Sequence, residues 1–214
     1  MIVRALDQPW LTYRLARFGE LEITVFICEG TIAMHRHIEQ DELFLVYDGE
    51  MVVQTEREDV ELCREEMVRI PKGTAHQSRS KQRATVVLFR VSDDLVLHRN
   101  GRWRMFRPST DSSLEKVNLD KHYAELKGPY APAEVGAYEG WRLWLSRCAG
   151  TGPTVPASPA VTPLLVMRGQ VTVRPARGGA LSARKGDVVV IPADTSYHLE
   201  TDTAAVLLTL VPGI

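Results

Sequence analysis

The stretch Gly30 to Glu50, GTIAMHRHIEQDELFLVYDGE, decides how this chain is read. It places His35 and His37 two residues apart, Glu42 beyond a short turn, and an apolar run from Leu43 to Tyr47 ahead of Gly49. Alternate side chains of an extended strand share a face, so His35 and His37 point one way and Arg36 the other. Further on, IPKGTAH, Ile70 to His76, carries a Pro71-Lys72-Gly73 turn that brings another strand, with His76, back to that face. Three imidazoles and a carboxylate in a β-rich context suit one divalent metal, and His35, His37, Glu42 and His76 are the expected ligands.

Outward from this stretch the chain repeats itself. Cys28-Glu29-Gly30-Thr31 recurs as Cys148-Ala149-Gly150-Thr151, an offset of 120. FLVYDGEMVV from Phe44 falls at the same offset on LLVMRGQVTV from Leu164, and MVRIPKGTA falls on VVVIPADTS at an offset of 121. Each copy reads as short strands broken by turns. Ile23, Val25 and Ile27 alternate with Thr24 and Phe26, the pattern of a strand with one buried face. Thr85 to Val91, Arg142 to Leu145, Asp187 to Ile191 and Ala204 to Val211 read as further strands, with Gly49 and Gly169 at hairpin turns. Asn100-Gly101 signals another hairpin. The clearest helix is Ser112 to Leu126, with Asp111 or Ser112 as N-cap and Glu115 placed for a capping box. Gly150 to Pro163, rich in proline, reads as an irregular loop. Short strands without alternating helices indicate a sandwich or barrel.

At this point the residues resemble the cupin superfamily. Gly30-x4-His35-x-His37-x4-Glu42-x6-Gly49 is one residue shorter than the family's first motif, and Pro71-x-Gly73-x2-His76 matches its second. Glu65 stands where the second motif opens with glycine, and Ser80 where it ends in asparagine; in the second copy Gly186 restores the opening turn. The resemblance covers both halves and implies a bicupin. Its fold is all-β, two double-stranded β-helix (jelly-roll, cupin) barrels with a short helical linker, and the metal sits near the mouth of a barrel. The expected parts are an N-terminal metal-binding barrel over residues 1–92, a linker over 93–130 and a degenerate barrel over 131–214. The second copy places Val155, Ala157, Thr162 and Tyr197 at the ligand positions, so one metal ion per chain is expected, with His198 alone beside the last of them.

Other residues receive plainer readings. Arg36 and Glu39 belong to a solvated face, and Met34 points away from His35. Phe44 and Val46 share the parity of Glu42 and line the barrel interior, while Gln77 and Ser78 are candidates to hydrogen-bond in the pocket. His98 and His122 read as surface histidines. Arg99, Arg102, Arg104 and Arg107, with Trp103 and Phe106, form a solvated hairpin or interdomain contact. Cys28 and Cys63 read as small core residues.

Composition narrows the function classes. The chain has 214 residues, 44% apolar and 25% charged, with a formal net charge of −1. That balance offers no electrostatic reason for a nucleic-acid or membrane partner. No stretch approaches the ~20 apolar residues of a transmembrane helix. Three cysteines without a CxxC pair, and an N-terminus without a secretion signal, point to a reducing cytoplasm. The expected protein is a monomer or homodimer acting on a small-molecule substrate. By resemblance to bicupin dioxygenases, its expected activity is that of a dioxygenase-type oxidoreductase using Fe(II), with Mn, Zn or Ni as other possible ions. A sugar or sugar-phosphate isomerase is the alternative enzyme, and a non-catalytic metal or small-ligand binding protein is the alternative class.

Overall fold

The computed structural model describes residues 6–38, 40–91 and 114–213. Glu39, His98, the Asn100-Gly101 turn, the arginine cluster from Arg99 to Arg107 and the expected N-cap at Asp111 or Ser112 lie outside the described residues. The chain is mostly β and divides into two compact units between Asn118 and Leu119. Among the described residues no helix is long and apolar enough to cross a membrane.

In the first unit, β2 (Leu21–Thr31), β3 (Glu42–Asp48) and β4 (Glu50–Thr55) all pair antiparallel with one long strand, β7 (His76–Val91). β1 (Tyr13–Phe18) pairs with β2, β5 (Asp59–Cys63) with β4, and β6 (Glu66–Ile70) with β3. Side chains of one parity fill the interior: Phe26, Cys28, Phe44, Val46, Met51 and Val86 belong to one buried cluster. Phe44 and Val46 thus line the interior, as their parity with Glu42 required. β2 is buried on both faces, because Thr24 and Phe26 are as enclosed as Ile23, Val25 and Ile27. Cys28 is buried, but Cys63, at the end of β5, is exposed and is no core residue.

The second unit is built the same way around β15 (Tyr197–Pro212), which pairs with β10 (Trp141–Thr151), β11 (Thr162–Arg168) and β12 (Gln170–Pro175). Trp141 opens β10 120 residues after Leu21 opens β2, and the same offset relates β3 to β11 and β4 to β12. β7 and β15 differ by 121 residues. The sequence repeat is therefore a repeat of strands and of their pairing. Gly49 (φ 83) and Gly169 (φ 74) make equivalent turns. Glu65 adopts the left-handed conformation (φ 65) that Gly186 (φ 92) adopts in the second copy, so the turn survives the loss of its glycine. The Glu65 amide donates to Val46 O at 2.7 Å, as that of Gly186 does to Val166 O at 2.9 Å.

The helix is shorter than its sequence pattern. α1 spans Leu119–Glu125, and Lys116–Asn118 forms β8 against β6. Glu66 accepts from Lys116 Nζ at 3.1 Å and from Asn118 Nδ2 at 2.9 Å. Val117 and Asn118 are weak helix formers, so ladder pairing and this carboxylate outweigh local propensity there.

Candidate metal centre

Four side chains from separate parts of the first unit meet at the end of its barrel. Their donor atoms, from His35, His37, Glu42 and His76, all lie within 4.8 Å of one another. Glu42 opens β3 and His76 opens β7, and both are almost completely buried. His35 and His37 lie in the loop after β2 and are partly exposed, so the cluster is walled on one side and accessible on the other. His35 bridges to His76 through the backbone, which brings their rings to 4.5 Å between centroids. The ring of His37 lies 5.1 Å from that of His35.

The imidazoles are oriented by their own loops. Nδ1 of His35 donates to Ala33 O at 2.9 Å, and Nδ1 of His76 to Thr74 O at 3.0 Å. A carbonyl only accepts, so Nδ1 is the donor in each contact, which leaves Nε2 as the ring nitrogen available to a metal. This backbone support behind the ring is the arrangement found behind metal-ligating histidines.

Glu42 lies among these rings, with Oε1 3.4 Å from His37 Nε2 and Oε2 3.1 Å from His76 Nε2. Burial pushes its carboxyl pKa up, but His76, His37 and Arg90 outweigh burial and hold it below the usual range, so it is ionised. Burial lowers the pKa of His37 further than Glu42 raises it, which favours the neutral ring. Glu42 Oε2 and His76 Nε2 are both buried and both lack a hydrogen-bond partner. Buried polar atoms without partners cost about 1–3 kcal/mol each. A divalent cation between them satisfies both, so the residues fit the ion that the ligand set implies.

Two contributors escaped the sequence pattern. Arg90 Nε donates to Glu42 Oε1 at 3.0 Å. Asp41, buried beside Glu42, accepts from the Lys72 amide at 2.9 Å and from Arg69 Nε at 2.6 Å. Asp41 thereby ties the first motif to the Pro71–Gly73 turn, whose Gly73 amide donates to His37 O at 2.6 Å. Arg90 ends an apolar run with nothing local to link it to Glu42; their partnership is one of strand register.

Other candidates sit elsewhere. Gln77 Nε2 donates to Gln54 Oε1 at 2.6 Å, and the carbonyl of Ser78 accepts from the Ile32 amide at 3.1 Å. Arg36 is exposed, 4.0 Å from Glu56. His122 lies 3.9 Å from Glu125 on α1.

Residues 24–92 match the cupin domain family. The uncharacterized protein YdbB of Bacillus subtilis (strain 168) is 34% identical over 80 residues, covering 37% of this chain and 71% of YdbB. The chain belongs to the cupin superfamily. Among solved structures, a cupin 2 conserved barrel domain protein from Leptotrichia buccalis superposes with a TM-score of 0.73 at 11% identity, over 99% of this cupin and 94% of that chain. Salicylate 1,2-dioxygenase from Pseudoaminobacter salicylatoxidans, in adducts with gentisate, superposes with a TM-score of 0.71 at 14% identity, over 90% and 68% of the two chains.

The second barrel of this cupin keeps the frame of the site without its donors. Val155 and Tyr197 make the bridge that His35 and His76 make, and Thr162 pairs with Ile191 as Glu42 pairs with Ile70. Tyr197 and Val155 pack into the apolar core, and Ala157 is exposed. His198 stands beside Glu200 at 3.1 Å on the partly exposed face. Among the described residues the second barrel holds no metal-binding group.

Proposed function

We propose that this bicupin is a metal-dependent dioxygenase-type oxidoreductase acting on a small organic molecule, with one Fe(II) ion per chain held by His35, His37, Glu42 and His76. The observation that carries this reading is the buried pair Glu42 Oε2 and His76 Nε2, 3.1 Å apart and both unpartnered. The fold shared with salicylate 1,2-dioxygenase supports the choice of oxygen chemistry within the metal-dependent class. When bound, an iron ion supplies redox chemistry and coordination positions beyond the four protein donors.

The chain's residues do the rest. Glu42 contributes the one negative charge of the donor set, and the backbone contacts at Nδ1 of His35 and His76 leave Nε2 of each ring to the ion. Phe44, whose ring lies 6.1 Å from that of His76, walls the inner side and excludes water from it. Met34 and Ile38 are exposed apolar side chains of the loop that carries the two partly exposed histidines.

The test is metal analysis of protein purified without chelating resin, followed by oxygen-uptake assays with hydroxylated aromatic acids, salicylate and gentisate among them. About one iron per chain and iron-dependent oxygen uptake are expected. Stoichiometric zinc or manganese without oxygen uptake would shift the assignment to an isomerase or a binding protein. Absence of any divalent ion would overturn the metal reading itself.

A further inference from the structure

The two oxygens of Glu42 have different surroundings. Oε1 accepts from Arg90 Nε at 3.0 Å and lies 3.4 Å from His37 Nε2. Oε2 has no hydrogen-bond partner and faces His76 Nε2 at 3.1 Å. The difference originates in the sheet, where Glu42 and Arg90 are register partners across β3 and β7. The contact uses Nε, the guanidinium nitrogen nearest the backbone, so the donor's place follows the strand register. Arg90 is itself mostly enclosed, with 28% of its side chain exposed, so water screens the pair only in part.

A carboxylate can bind a cation through one oxygen or through both. A charge-assisted hydrogen bond to one oxygen engages its lone pair and leaves the other as the better donor. We infer that Arg90 is a positioning residue that commits Glu42 to one-oxygen binding through Oε2. This rests on the metal reading of the site proposed above. A Glu42 that bound through both oxygens would occupy a coordination position that the one-oxygen mode leaves to an exchangeable ligand. Arg90 thus keeps the centre open without touching the ion.

The test is infrared difference spectroscopy of zinc-loaded minus metal-free protein, with the Glu42 bands identified by their absence in Glu42→Gln. One-oxygen binding widens the gap between the asymmetric and symmetric carboxylate stretches relative to a free carboxylate; two-oxygen binding narrows it. The wild type is expected to show the wide gap, Arg90→Met the narrow one, and Arg90→Lys, which restores a cation, a return towards the wild type. A narrow gap in the wild type overturns the inference without any variant. So does an unchanged gap in Arg90→Met loaded to one ion per chain. Failure of the wild type to take up zinc overturns the metal reading and the inference with it, a result distinct from either of these.

Discussion

His35 and His76 hold each other by the backbone: the His35 amide donates to His76 O at 2.9 Å, and the His76 amide to His35 O at 2.8 Å. Val155 and Tyr197 repeat the exchange at 2.7 and 3.1 Å, with side chains that pack into an apolar core. The bridge is therefore a property of the barrel. It brings two imidazole rings of the proposed centre together as part of the fold itself.

Metal-free protein should for this reason remain folded, with the circular dichroism of a β protein. Added metal should raise its thermal stability, by about 2.7 kcal/mol when free metal is 100-fold above the dissociation constant. His76→Ala should abolish the metal-induced rise in melting temperature. Thermal melts with and without chelator check both, and a metal-induced shift that survives His76→Ala would contradict the ligand assignment.

Asp41→Ala should weaken the fold and the site together. The substitution removes the acceptor of the Lys72 amide and the partner of Arg69. Losing a buried acceptor and stranding its donor costs about 1–3 kcal/mol. The Pro71–Gly73 turn then loosens, and with it the Gly73 contact to His37. Urea denaturation should show the stability loss, and metal titration a weaker affinity. A loss of stability with unaltered affinity would show that the turn does not position His37.

Thiol chemistry should separate the cysteines. Cys63 is exposed, while Cys28 and Cys148 are buried. Burial pushes the Cys28 thiol up to about 12 and that of Cys148 up to about 11, the latter against a small opposing contribution from Ser146. A thiol-titrating disulfide reagent should find one reactive group in the native protein and all three after denaturation.

The same burial has a pH consequence. Thiols of the unfolded chain ionise from their ordinary value of 9.0, while those of the folded chain stay protonated until about 11 to 12. Tyr197, pushed by burial and by Cys148 from 10.0 to about 12, acts in the same direction. The unfolded state thus binds fewer protons over this window, so stability falls as pH rises from about 9. Urea midpoints between pH 7.5 and 10.5 should decline across it, and a flat profile would contradict the burial of these groups.

Gly49→Ala and Gly169→Ala should both destabilise, by about 2 kcal/mol or more, since left-handed backbone costs an ordinary residue about 1–2 kcal/mol before any clash. A Cβ at Gly49 would lie 2.9 Å from Ala84 Cα, and one at Gly169 2.6 Å from Ala204 O. Chemical denaturation of the two variants measures whether the repeated turns are equally demanding. A mutation without effect at either site would show that its turn can relax.

Much of the fold was legible because the repeat displays it twice. Strand positions, both hairpin glycines and the interior parity of Phe44 and Val46 follow from alternation and punctuation. The helix is shorter than its pattern because helical propensity is local, whereas Lys116–Asn118 pairs with β6, some 50 positions earlier. The sequence does not show that Cys63 is exposed, because a small apolar residue beside a strand carries no sign of its face.

By itself the sequence determined which residues could form the centre, since imidazole and carboxylate chemistry belongs to the side chains and their motif spacing is local. It determined equally that the second copy lacks the three imidazoles and the carboxylate of the first. Only the tertiary structure decided how Glu42 is held. Arg90 reaches it through the register of β3 against β7, and Asp41 reaches the Lys72 amide across a turn. Such partnerships depend on long-range pairing, where a slip of one residue turns every side chain to the opposite face.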